Sequence, residues 1–203
     1  MQWCVRQFTR RAKGSPVTSP ATDSRERIRA TALALFAARG VGATSLREVA
    51  RSAGVAPGLV GHHFGGKDGL REAVDDFVVL RFREALASVP LEGSTAEIAA
   101  ARDRAIARML AGNPDVVDYL RRVVVTPEPG DVGLARKLVQ ETVAQTQTLR
   151  DHGVTRSRVP VTEQAVTVLV RQIGAWLLQP TLGRLWQLAG AEGEPPKVRI
   201  TLD

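Results

Sequence analysis

From Asp23 onward apolar residues recur every three to four positions, the period of a helix with one buried side. Asp23 or Ser24 can cap the first such segment, Glu26 sits in its first turn, and Ile28, Ala32, Leu35 and Phe36 repeat at helical spacing. Arg39-Gly40 then supplies a basic last turn and a glycine stop. Ser45 and Glu48 have capping-box spacing, which predicts a second helix starting at Ser45. Ala53-Gly54-Val55 turns the chain, and Pro57 suits the first position of a third helix that ends near His63, ahead of Gly65-Gly66. A fourth begins near Lys67, carries Leu70, Val74, Phe77 and Val78 on one face, and runs to about Val89, before Pro90 and Gly93.

The remainder reads as further helices in series. One is predicted from Thr95 to about Ala111, with Ile98, Ala105, Ile106 and Met109. Asn113-Pro114 reads as a cap and a first-turn proline, opening a helix with Val116, Val117, Leu120, Val123 and Val124. A loop over 126–130 precedes a helix carrying Leu134, Leu138 and Leu149. After Pro160 a helix is expected from about Val161 or Thr162 to Leu178, and beyond Pro180 a separate shorter one to about Leu188. From Gly190 the chain reads as a loose tail in which Val198 to Leu202 could at most pair as an edge. No strand pattern and no internal repeat appears, so the expected class is all-α.

Length and composition narrow the field further. The chain has 203 residues, 44% hydrophobic and 24% charged, which is ordinary for a globular protein and argues against wholesale disorder. No apolar run approaches the ~18 residues of a membrane span. The single cysteine, Cys4, leaves no internal disulfide framework and fits a reducing compartment, so the expected location is cytoplasmic. Aromatic residues make up only 4%, too few for base-stacking platforms along single strands.

Charge changes the picture most. Residues 1–66 hold ten basic and three acidic residues (Asp23, Glu26 and Glu48), so the whole formal charge of +7 sits on the first third of the chain. A basic block beside a neutral body is the footprint of a polyanion-binding module joined to something else. Residues 1–22 contain Arg6, Arg10, Arg11 and Lys13 with no acid, then Gly14-Ser15-Pro16 and Ser19-Pro20, and are expected to form a flexible basic arm. Two short helices joined by a glycine turn, after a longer supporting helix, make a helix-turn-helix candidate in the same segment. Leu46, Val49, Ala50, Val55, Val60 and Phe64 would pack its core, leaving Arg47, Pro57, Gly58, Gly61 and His62 outward.

Competing chemistries fail on their own terms. Gly61 to Asp68 imitates a phosphate loop, but Asp68 stands where a hydroxyl would meet Mg²⁺, and the preceding segment is a helix rather than a strand. His62 and His63 are adjacent and His152 is remote, so no metal set is expected. No Gly-x-Ser-x-Gly occurs, and no cysteine has a base at a recognisable spacing. Neither an enzyme nor a cofactor is expected.

The stretch Thr44-Ser-Leu-Arg-Glu-Val-Ala-Arg-Ser-Ala-Gly-Val-Ala-Pro-Gly-Leu-Val-Gly-His-His-Phe-Gly-Gly-Lys-Asp-Gly-Leu70 resembles the N-terminal domain of the tetracycline-repressor-like (TetR) transcriptional regulators. The preceding helix, with its Ala-Leu-Phe-Ala-Ala-Arg-Gly40 ending, matches as well, and the resemblance covers residues 24–77. It implies a three-helix DNA-binding domain on a larger all-helical ligand-binding and dimerisation domain. The expected organisation is an arm over 1–22, the DNA-binding domain over 23–70, the effector and dimer domain over 71–190 and a tail over 191–203.

The resemblance also implies roles. Ser45 and Arg47 fall at the second helix's entry near the DNA backbone, and Pro57, Gly58 and Leu59 at the base-reading start of the recognition helix. His62 and His63 fall where the family touches phosphates, and Lys67 on its phosphate lysine. Ala56 replaces the usual Ser/Thr cap, and Gly61 replaces the usual aromatic, which removes one phosphate contact. A pocket among the middle helices and a dimer through the last two are implied. For the pocket, Phe77, Phe82, Met109, Tyr119 and Trp176 are the candidates, with Arg108, Arg121 or Arg122 as polar anchors. For the interface they are Val166, Leu169, Val170, Ile173, Leu177, Leu182, Leu185 and Trp186. The expected function is a homodimeric regulator, most simply a repressor, released from a palindromic operator by a small-molecule effector. The alternative is a helical interaction protein whose basic arm binds nucleic acid or a membrane surface without sequence preference.

Overall fold

Eight α-helices account for the secondary structure of residues 20–125 and 132–200, the part that the computed structural model describes. In chain order they are α1 (Pro20–Arg39), α2 (Leu46–Ala53), α3 (Pro57–Phe64), α4 (Lys67–Ala87), α5 (Thr95–Ala111), α6 (Pro114–Val125), α7 (Gly133–Asp151) and α8 (Val161–Leu188). The arm expected over 1–22 and the loop over 126–130 lie outside the described residues, except that α1 already begins at Pro20. Proline is at home in a first turn, where its missing N–H would have had no partner. Asp23 therefore does not cap; it sits one turn in and pairs with Arg27 at 2.9 Å.

Several boundaries follow the local chemistry. Ser45 caps α2 by accepting from the Glu48 amide at 3.2 Å. The reciprocal half of the expected box is absent, because the Glu48 carboxylate instead pairs with Arg39 at the end of α1. A complete capping box stands at Ser94 and Glu97, ahead of α5. Asn113 turns its side-chain amide back to the Met109 carbonyl at 2.7 Å, fastening the last turn of α5, while its own carbonyl accepts from Val116 and Val117.

The two C-terminal helices expected on either side of Pro180 are one continuous helix, α8. An interior proline removes one backbone donor and crowds the preceding turn. Here the neighbouring residue is braced from outside the helix. Gln179 donates to the Pro196 carbonyl at 3.1 Å and accepts from the Val198 amide at 2.7 Å. The tail therefore folds back along α8 rather than hanging loose, and Ile200 lies over Gly174, where an added Cβ would fall 2.1 Å from Ile200 Cδ1. No strand occurs among the described residues.

One apolar core runs through the molecule, from Ile28 and Phe36 on α1, through Val49, Val60 and Leu70, to Ile106, Tyr119 and Leu134. It joins the first three helices to the rest. On α6, Arg122 donates to the carbonyls of Ala37 and Ala38 at 3.1 and 2.9 Å, capping the end of α1.

Candidate DNA-binding face and internal cavity

The α2–α3 corner is held from three sides. Gly54 takes a left-handed φ of 66°, which glycine adopts freely, and Val55 N–H bonds the Ala50 carbonyl at 3.0 Å. Arg27 on α1 donates to the Ala53 carbonyl at 3.1 Å. Thr44 is buried and donates to Gly40 O at 2.9 Å, bracing the approach. The start of α3 is weakly held: Ala56 provides no side-chain cap, which costs about 1 kcal/mol against a capping residue. Its other end is fixed by packing. A Cβ on Gly69 would come 1.9 Å from the Phe64 carbonyl oxygen, so only glycine lets α4 approach α3 this closely.

The face so positioned is exposed at Ser45, Arg47, Pro57, Gly58, Gly61 and His62. Gly58 and Gly61 have no atom within 4 Å of where a side chain would begin, so packing does not explain them. Leu59 is half-buried against the core. His63, for which the resemblance implies a phosphate contact, is half-buried: its Nε2 is buried without a hydrogen-bond partner, and its ring lies edge-on to His62 and Phe64. Lys67 donates to the Gly42 carbonyl at 2.9 Å, tying the start of α4 to the loop before α2. Two protons of its ammonium remain for a further acceptor. Sequence reasoning passed over Arg25, whose guanidinium stands 5.2 Å above the Phe64 ring, beside the end of α3. Its only advance signal is the run of arginines at 25, 27 and 29.

A second feature lies in the body. A cavity of about 90 Å³ is enclosed by α4 to α8. Phe82 and Trp176 line it, with ring centroids 5.6 Å apart. Phe77, Met109 and Tyr119, the other three pocket candidates, do not. Phe77 lies under the guanidinium of Arg29 at 4.3 Å, against α1. Met109 packs on the core. Tyr119 is fully buried and donates its hydroxyl to Asp75 at 2.7 Å. Burial drives the Asp75 carboxyl above the usual range, against the pull of Tyr119 and Arg71, and raises the Tyr119 phenol as well. None of the three suggested arginine anchors reaches the cavity. Arg108 is exposed, Arg121 pairs with Asp118 at 3.0 Å, and Arg122 caps α1.

The polar groups that do line the cavity were missed. Arg102 donates to Gln145 Oε1 at 3.0 Å, and Gln145 donates to Glu141 Oε1 at 2.9 Å. Glu141 in turn accepts from Arg83 on α4 at 2.6 and 3.1 Å. Burial alone would raise the Glu141 carboxyl, but the bonds from Arg83 and Gln145 outweigh it and hold the group below the usual range. Burial lowers the Arg102 guanidinium. The i,i+4 spacing of Glu141 and Gln145 was visible in the sequence; their meeting with helices 40 to 60 residues away was not.

The interface candidates divide. Leu169 and Ile173 face the cavity, while Leu177, Leu182 and Trp186 are half-buried. Val166 and Val170 are 46% and 43% exposed, and Leu185 reaches 56%, with Leu178 and Leu188 also outward. Among the described residues no group of His, Cys, Asp and Glu could hold a metal ion, and no helix is long and apolar enough to cross a membrane.

Residues 28–74 match the family of bacterial regulatory proteins, tetR family. Over 62 residues the chain is 48% identical to the HTH-type transcriptional regulatory protein RaaS of Mycobacterium tuberculosis (strain ATCC 25618 / H37Rv). That match spans 30% of this chain and only 29% of the relative's length. The fold is similar to a structure described as a tetR family transcription regulator from Shewanella sp. PV-4, with a TM-score of 0.68 and 22% identity over 82% of this chain and 90% of that one. It is also similar to a gamma-butyrolactone receptor (ArpA-like), with a TM-score of 0.57 and 20% identity over 87% and 90%.

Proposed function

We propose that the chain, whose residues 28–74 match the tetR family of bacterial regulatory proteins and whose fold is similar to that of solved tetR regulators, is such a regulator and controls transcription by binding duplex DNA as a homodimer. The observation that carries this reading is the exposed face of α2 and α3, where Arg47, Pro57, Gly58, Gly61 and His62 stand clear of the core. Ser45, Arg47, His62 and Lys67 supply phosphate contacts, and Pro57, Gly58 and Leu59 bring α3 against base edges. Two glycines on an eight-residue helix let the backbone approach the groove closely, where side chains would otherwise stand off.

In this reading residues 23–70 form the DNA-reading unit and 71–190 the effector and dimer unit. The outward apolar residues of α8, including Val166, Val170 and Leu185, pair across a two-fold axis, so the operator is palindromic with half-sites about 34–36 Å apart. A small molecule in the α4–α8 cavity favours an arrangement with another spacing and releases the DNA, which makes the protein a repressor acting in the cytoplasm. Equal affinity for both arrangements would shift nothing, so the ligand must contact an element that differs between them. Helix α4 meets that condition, with Lys67 at its start and Phe82 in the cavity wall. The protein acts by binding, not by catalysis.

Footprinting on the gene's own upstream region tests this. A protected two-fold site that survives competitor DNA, with affinity falling steeply as salt rises, is expected. Equal affinity for any nucleic acid would refute it and favour a basic-arm binder.

A further inference from the structure

Among the groups facing the cavity, Arg102 stands out. Among the described residues its hydrogen bond goes to the neutral Gln145 amide, and the carboxylate that acts on it electrostatically is that of its chain neighbour Asp103. The neighbouring Asp103 instead accepts from Gln172 at 3.3 Å. The nearest acid in the wall, Glu141, is already engaged by Arg83. A guanidinium half-withdrawn from water whose hydrogen-bond acceptor is neutral, and whose burial outweighs the attraction of Asp103, is costly, and such groups are matched by an anion when one can reach them.

We infer that the cavity takes a small monocarboxylate whose charge seats on Arg102, and that its arrival is transmitted to α4 through the chain Arg102–Gln145–Glu141–Arg83. This rests on the regulator reading for its biological meaning, not for its chemistry. Guanidinium geometry favours planar, two-point pairing with a carboxylate. A dianion is disfavoured, because Glu141 lies one amide away from Arg102. Phe82, Leu138 and Trp176 give the remainder of the ligand an apolar seat. The enclosed space of about 90 Å³ is below the roughly 150 Å³ of an apolar cavity that accepts benzene, so that remainder is smaller than a benzene ring, a short acyl chain at most.

The coupling follows from valence. Gln145 links Arg102 to Glu141 with its oxygen and its amide nitrogen, respectively. A carboxylate that takes over the Arg102 donors releases the Gln145 oxygen, frees that side chain to turn, and alters the partners of Glu141. Glu141 is the residue that holds Arg83, on the helix that starts with Lys67. The two sites are then joined by one exchange of hydrogen bonds, which is a coupling free energy that a mutation can remove.

The test uses the full chain and three probes, propanoate, butanoate and butanamide, followed by titration calorimetry and Trp fluorescence. At least one of the two carboxylates should bind, and the amide should bind at least about tenfold more weakly. Arg102→Gln should lower carboxylate affinity by about tenfold or more and leave the amide unaffected. Arg102→Met, which removes the half-buried cation, should raise the melting temperature and so show that loss of binding is not loss of fold. Arg83→Gln should bind the carboxylate within about threefold of wild type while the ligand no longer changes affinity for the footprinted DNA. Failure of both carboxylates to bind, equal binding of amide and acid, or an Arg102→Gln variant that binds as wild type would each overturn the inference. DNA binding without ligand separates the readings. If the promoter is bound but carboxylates are not, the regulator stands and this site falls; if carboxylates bind through Arg102 but no promoter is protected, the reverse holds.

Discussion

A single methyl group distinguishes the two kinds of glycine in and beside α3. At Gly69 an added Cβ would stand 1.9 Å from the Phe64 carbonyl oxygen and 3.1 Å from its carbon, both backbone atoms that cannot swing aside. To restore contact at 3.0 Å, the end of α3 and the start of α4 must separate by about 1 Å. Overpacking of this kind costs about 1–3 kcal/mol, and the better helix propensity of alanine returns at most about 1 kcal/mol. Gly69→Ala should therefore lower stability by about 1–2 kcal/mol, which for a chain of this size is roughly 2–8 °C in melting temperature. It should also weaken operator binding, because α3 is displaced. Gly61→Ala is the converse. Its methyl enters open space on a helix with ordinary dihedrals, so stability should rise by about 0.5–1 kcal/mol while operator affinity falls. Thermal melts and a mobility-shift titration on the same preparations supply both axes. Equal stability of Gly69→Ala and wild type, or unchanged DNA affinity in Gly61→Ala, would refute the reasoning at that position.

Three further outcomes are expected. Lys67→Ala should weaken binding to all duplexes alike and lower the slope of log affinity against log salt by about one, as read by titrations at several salt concentrations; altered sequence preference at an unchanged slope would reassign the residue. Asp75 has its carboxyl raised by burial, so its favourable contribution is present below the ordinary aspartate pKa and is lost as pH climbs through the raised value. Asp75→Asn, which keeps an acceptor for Tyr119, should thus gain stability relative to wild type as pH rises above the ordinary aspartate pKa, read by urea melts at a series of pH values. Leu185→Asp, at a position 56% exposed, should leave helix content intact by circular dichroism while light scattering finds a monomer.

The helix-turn-helix segment was legible because its boundaries are written in local chemistry. Ser45, Gly54, Pro57 and Lys67 each act within a turn of their own position, and the expected ends fall within a residue or two of those found. The same holds for α5, whose start follows from Ser94 and Glu97. Pro180 misled because a proline's local cost was read as a stop, whereas the tail that braces Gln179 arrives from 17 to 19 residues further on. The cavity was the least legible part. Tyr119 and Trp176 look alike as large residues on apolar faces, and only the packing of α6 against α1 buries the first while α8 turns the second toward Phe82. Arg102 sits in an alanine-rich run that reads as a solvated helix, and its meeting with Gln145 spans 43 residues.

The cap that Arg122 places on α1 bears on how the protein comes apart. The carbonyls of Ala37 and Ala38 are the unpaired end of a helix, and their partner is a side chain 84 to 85 residues away on α6. Together with the shared core, this makes the reading head and the body one cooperative unfolding unit rather than a bead on a string. Amide hydrogens in α1 and α6 should exchange with solvent at one common rate, set by global opening. A fragment cut after α3 would lose its cap and its floor at once. In the proposed role, the hold on DNA is then tied to the integrity of the whole interior, and a destabilising lesion deep in the body would silence it as surely as one on the surface.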